Sequence, residues 1–274
     1  FWPTGLLTAN GPVSGSRVAF FGDAMAAVVH GIIEVRNLIG QPPVIVGGLA
    51  VLSRLSSPHR ATVDLDVVDR LVGDVPQLEV LRASAGATPV DPAAVLLPTP
   101  YGAVKIDVLE VRQAELDRPS DDPGDRLHAS AHAWANDTAT ALTIEVLLAD
   151  GDHIDVTAPV AEPGALIAMK LQAVMNRAVN KQGTDLLDIV RLTFDEATRP
   201  VALTQIGDVD AAVAADIALH QGRCYPGTGI TARWTPSPRS PGSCSDNPPC
   251  VGGSSPGSSP PSTNASACAT PCPA

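Results

Sequence analysis

With 274 residues and 45% hydrophobic side chains, the chain holds enough apolar material for one large domain or two small ones, and an aromatic share of only 3% leaves that core to Ala, Val, Leu and Ile. A formal net charge of -11 excludes nucleic-acid binding driven by bulk charge and leaves only a local basic patch for that purpose. Apolar runs are broken by Asp, Glu, Arg or His well before the roughly 20 residues that a bilayer crossing requires, so no membrane partner is expected.

Residues 1–22 mix Gly, Pro, Ser and apolar types without a sustained period and read as an irregular lead-in with no signal-peptide charge pattern. Asp23 is expected to cap a helix over residues 23–38, which Gly40 and the Pro42-Pro43 pair then end. A short apolar strand, PVIV, enters Gly47-Gly48, and residues 49–55 suit a short helix. Residues 61–68 alternate as a strand and deliver Asp64 and Asp66 to one face, because side chains two apart on a strand share a side. Two carboxylates held that close repel unless a cation lies between them, and hard oxygen donors suit Mg²⁺ or Mn²⁺. The glycine pair leaves room for backbone amides to approach a phosphate, or serves only as a turn.

A helix is expected over residues 77–83 and a strand over 94–98. In VKIDV, Val104, Ile106 and Val108 alternate with Lys105 and Asp107, which puts Asp107 on the polar face of a strand able to lie beside Asp64 and Asp66. Such a trio would form a two-metal cradle, whereas Asp64 and Asp66 alone fit the solvent face of an amphipathic strand equally well. A polar loop at 118–124 precedes a helix over 127–134 carrying His128 and His132 four apart. That is the spacing of a zinc pair, but Ala129 stands where the zinc-protease motif has glutamate, so exposed helix histidines are the expectation.

Strands over 142–148 and 153–157 flank the hairpin signal Asp150-Gly151. Pro163-Gly164 opens a helix to about residue 179, and further helices follow over 185–192 and 209–220. The order predicts an α+β fold: a core over 23–160 with a mixed sheet and flanking helices, then a helical region over 161–222. From residue 223 the composition turns to Ser, Pro, Gly, Thr, Ala and Cys without hydrophobic period. That composition predicts a disordered tail and resembles translation of a GC-rich gene in another frame. All five cysteines lie from Cys224 onward, irregularly spaced, so the body owes nothing to disulfides, as expected of a cytoplasmic protein.

Four blocks, VGGLAVLSRL, HRATVDLDVV, VKIDVLEV and MKLQAVMNRAVNKQGTDLLDIVRL, resemble the AbiEii/AbiGii-type nucleotidyltransferase toxins, close to their mycobacterial branch, on a DNA polymerase β-like fold. The resemblance spans about residues 23–192. It implies that Asp64 and Asp66 hold the metal with Asp107 as third acid, and that Gly47, Gly48 and Thr62 lie at the nucleotide. It also implies that Lys170 contacts the triphosphate and that Asp185 opens the last catalytic block. Lys181 is set off from Asp185 by three residues, a departure from the family's adjacent Lys-Asp. Outside the resemblance, Lys170 reads as a helix-surface lysine and Thr62 as a β-branched strand residue, while Arg177 serves either nucleic acid or an acid on the next helix. The function implied is Mg²⁺- or Mn²⁺-dependent transfer of a nucleoside monophosphate from an NTP to an RNA acceptor, tRNA above others, as the toxin opposed by a cognate antitoxin protein. A second reading keeps the fold without turnover: an inactive nucleotidyltransferase-like module that binds a nucleotide or a partner.

Overall fold

The computed structural model describes residues 16–73, 75–176 and 179–224, and these fall in one compact unit. The tail reading beyond Cys224, Arg177 and the side chain of Lys181 lie outside the described residues, while residues 223 and 224, read as tail, complete the last helix. The strands are β1 (Arg17–Phe21), β2 (Val44–Val46), β3 (Asp64–Asp69), β4 (Thr88–Asp91), β5 (Ala94–Thr99), β6 (Gly102–Glu110), β7 (Thr140–Leu147) and β8 (His153–Val160). They form one mixed sheet in the order β1-β7-β8-β2-β3-β6-β5-β4. β1 with β7, β2 with β8 and β3 with β6 run parallel, and the remaining neighbours antiparallel.

The helices are α1 (Ala26–Ile39), α2 (Gly47–Arg54), α3 (Gln77–Arg82), α4 (Gln113–Asp117), α5 (Pro123–Asp137), α6 (Pro163–Asn176), α7 (Val179–Phe194), α8 (Thr198–Asp208) and α9 (Ala211–Cys224). The expected architecture, a mixed sheet with flanking helices followed by a helical region, is the one observed.

Alternation in β6 decides which side of the sheet is which. Val104, Ile106 and Val108 are buried, and α1 packs on that side closely enough that a Cβ on Gly31 would lie 2.9 Å from Val104 Cγ1. Gly40 ends α1 in the left-handed region (φ 80°), returning its N–H to the Arg36 carbonyl at 2.9 Å. Lys105, Asp107 and Leu109 face the opposite side, toward the helical region. There α6 is the hub, packed by α2, α5, α7, α8 and α9. Its sequence, PGALIAMKLQAVMN, is apolar nearly all round, as a helix enclosed on every side must be.

Several elements differ from expectation, each for a physical reason. Residues 17–21 are not irregular: they form β1, whose partner β7 lies more than a hundred residues away and leaves no local trace. Asp23 does not cap α1. A 3₁₀ turn (Asp23–Met25) precedes that helix, and the Asp23 carboxylate instead accepts from the Ala149 N–H at 3.1 Å, across the β7–β8 turn. Gly47 and Gly48 do not precede α2 but open it. The polar stretch at 118–124 contains the true start of α5, where Asp122 accepts from the N–H groups of Gly124 (2.7 Å) and Asp125 (3.1 Å) with Pro123 at the first position. α8 contains Pro200, tolerated because it falls in the first turn.

Candidate functional site

β3 and β6 run side by side in a register that sets Asp66 against Asp107 and Asp64 against Lys105. The period of two then projects all three carboxylates from one face. α2 begins directly above them. Gly47 has φ 62°, and a Cβ there would lie 1.9 Å from Asp66 Oδ2, so glycine is required both by the backbone and by the acid's position. The Gly48 N–H points at the same Asp66 oxygen at 3.4 Å. Thr62 is buried and donates its hydroxyl to Asp64 Oδ1 at 2.7 Å. The residues expected at the nucleotide thus hold the aspartates in place.

Across from the sheet, Lys170 on α6 is not a surface lysine. It is buried, with Nζ 2.7 Å from Asp185 Oδ1 and 3.0 Å from Asp188 Oδ2, both on α7. Asp188 also receives Arg60, with Nη2 at 2.9 Å, and His59 Nε2 lies 3.6 Å from it. Burial pushes the His59 imidazole below its ordinary pKa, against the pull of Asp188. Two cations and two anions, all buried but the half-buried Arg60, therefore balance within one group that ties α6 and α7 to the segment leading into β3.

Gly47, Gly48, Thr62, Asp64, Asp66, Asp107, Lys170 and Asp185 all line one cleft of about 480 Å³. That these residues belong to one site is what the resemblance implied. The cleft also holds residues that were not anticipated as site residues. Lys105 stands two before Asp107 on β6, so the alternation that exposed that acid carried its signal, whereas Arg60 precedes β3 and had no such signal. Asp188, the shared partner of Lys170 and Arg60, lies in the last of the four resembling blocks three residues after Asp185, a spacing that puts both on one side of a helix.

Lys105 changes the character of the acid trio. Its Nζ lies 2.9 Å from Asp91 Oδ2 and 3.0 Å from Asp107 Oδ1. The hydrogen bond to Asp91 raises its pKa, partial burial opposes the rise, and Asp107 adds to it. Among the described residues no three His, Cys, Asp or Glu side chains are gathered into a metal-holding group. The donor chemistry that suits a hard cation is the Asp64 and Asp66 pair, with Asp107 beside it on Lys105.

The far wall of the cleft comes from α5. His128 and His132 are not simply exposed: His132 is buried, and both line the cleft with ring centroids 4.2 Å apart. No helix among the described residues is long and apolar enough to cross a membrane. No family model matches the chain, and no curated protein matches it. Among solved structures, the chain is similar to an antigenic nucleotidyltransferase-like protein from Paracoccidioides brasiliensis, at 20% identity and a TM-score of 0.37, over 71% of this chain and 92% of that one.

Proposed function

We propose that the chain is a nucleotidyltransferase that moves a nucleoside monophosphate from an NTP to an RNA hydroxyl. The observation that carries this reading is the meeting of Asp64, Asp66 and Asp107 with Lys170 in one cleft, from three separate stretches of sequence. Asp64 and Asp66 would hold a Mg²⁺ or Mn²⁺ ion, whose part is to neutralise charge on the transferring phosphate. Thr62 and Gly48 keep those two carboxylates aimed. Lys170, steadied by Asp185 and Asp188, offers an ammonium to the nucleotide phosphates. Asp107 takes the proton of the attacking hydroxyl. The hydroxyl oxygen bonds to the α-phosphorus, the bond to the β-phosphate oxygen breaks, and pyrophosphate leaves.

A tRNA acceptor, a toxin role and a neutralising antitoxin rest on the sequence resemblance alone. The test supplies each labelled NTP with Mg²⁺ and a broad RNA pool to the full chain and to its Asp64→Ala variant. Label should enter RNA with the wild type and fall at least about a hundredfold in the variant, the scale of losing a group that acts at the reacting centre. No incorporation with any NTP would overturn the enzyme reading. One observation favours the inactive binding module instead: Lys105 already occupies Asp107 with a cation of the chain's own. That reading expects nucleotide binding without turnover.

A further inference from the structure

The cleft is lined by side chains of two kinds. Asp64, Asp66, Arg60, Lys170 and Asp185 suit phosphates and a cation, whereas Leu109, Leu166, Met169 and Ala173 are apolar, and His128 and His132 belong to the same lining. The arrangement follows from periodicity. Lys105, Asp107 and Leu109 share one face of β6, with Leu109 one step beyond Asp107, while Leu166, Met169, Lys170 and Ala173 form one stripe of α6 with Lys170 among them. A ligand seated on Lys170 and the aspartates therefore has an apolar floor to extend along.

Among the described residues the imidazoles are the ring faces of the cleft, since no described Phe, Tyr or Trp lines it. Being four apart on α5, they share a helix face, and their rings lie 4.2 Å apart at an interplanar angle of 44°. His132 is fixed by a 2.6 Å hydrogen bond between its Nδ1 and the His128 carbonyl, and it in turn backs His128. His128 is half-buried at the cleft, the exposure a stacking surface needs. A pair of π faces lining the same cleft as aliphatic side chains, Lys170 and the aspartates matches the chemistry of a planar nucleobase on its phosphates.

We propose that His128, backed by His132, is the platform on which this protein stacks a nucleobase, whether of the NTP or of the RNA end. The proposal rests on the nucleotidyl-transfer reading of the cleft. It is tested by binding to the full chain, without reference to turnover. Two pairs of probes separate base from phosphate: an NTP against inorganic tripolyphosphate, and a short single-stranded RNA against the same strand with an abasic 3′ end. Each is titrated by calorimetry into wild type, His128→Ala and His128→Phe.

A stacking platform predicts that His128→Ala weakens the NTP or the intact RNA about tenfold, as loss of one base–aromatic stack does. The base-free partner of that pair should be unaffected, and His128→Phe should restore the affinity because it keeps a ring. Which pair responds identifies whose base is held. Equal losses for base-containing and base-free probes, or no rescue by Phe, would overturn the platform and leave His128 a polar or charge contact. If wild type bound both the NTP and tripolyphosphate through Lys170 but ignored His128→Ala in both pairs, the platform would fall and the phosphate contacts would stand. If wild type bound none of the four probes, the nucleotidyl-transfer reading would fall with it.

Discussion

Two residues near the aspartates show how tightly single positions are specified. Gly47 combines a positive φ with a direction for a Cβ that Asp66 already occupies, at 1.9 Å from Oδ2 and 2.5 Å from Cγ. Gly47→Ala must therefore strain the backbone and push the Asp66 carboxylate off its place. The expected result is a loss of about 1–2 kcal/mol in urea unfolding, the usual scale for alanine forced into the left-handed region, with weakened Mn²⁺ binding by titration. Unchanged Mn²⁺ affinity would mean Asp66 is not held where the structure puts it. Asp188 is the opposite kind of position, fully buried and shared by Arg60 and Lys170. Asp188→Ala leaves two cations facing each other without their common anion, and should cost about 3–5 kcal/mol in the same measurement, as breaking buried ion pairs does. A loss below about 1 kcal/mol would show that the buried pairings contribute no more than exposed ones do.

At the scale of elements, the turn after β3 is held by a side chain of that strand. Asp69 is buried, on the face opposite Asp64 and Asp66, and accepts from the N–H of Leu71 and of Gln77, both at 2.8 Å. It thereby ties Leu71, at φ 50°, and the start of α3 to the end of β3. Asp69→Ala should cost about 1–3 kcal/mol per stranded amide pair and speed hydrogen exchange at Leu71 and Gln77. Unaltered exchange there would rule out this role. Asp69 also marks the limit of what alternation can reveal. The period of two exposed Asp64, Asp66 and Asp107 because a strand's faces are fixed by its own residues. It could not reveal that Asp69 serves a turn eight residues on, that β1 pairs with distant β7, or that Asp23 answers to Ala149 rather than to α1. Those outcomes depend on partners brought close only by the finished fold. α6 was legible as a helix, whereas its enclosure by five others, and with it the burial of Lys170, was not.

Over the whole molecule, the cleft joins the sheet to the helical region, because its aspartates come from one and Lys170 from the other. Asp195, between α7 and α8, is one of the ties. Its carboxylate accepts from the Ser56 N–H (3.0 Å) and hydroxyl, just past the end of α2, and from the Ala197 N–H (3.0 Å), the Thr198 N–H (3.1 Å) and the Thr198 hydroxyl (2.9 Å). Burial pushes this carboxyl upward, but the hydrogen bonds from Ser56 and Thr198 outweigh it and hold the pKa at about 2, against an ordinary 3.8. A folded-state pKa below the unfolded one means that folding favours the ionised group. The contribution is complete above the unfolded value and disappears as pH falls from near 4 through about 2. Asp195→Asn should therefore be less stable than wild type at pH 6 by on the order of 1 kcal/mol, after solvent screening of this partly exposed group. That gap should close as urea unfolding is repeated toward pH 2, because wild type then loses the charge that the variant never had. Reading the difference between the two proteins cancels the other carboxylates, which titrate in both. A gap that stayed constant across the range would place the stabilisation in packing at Asp195 and not in its charge.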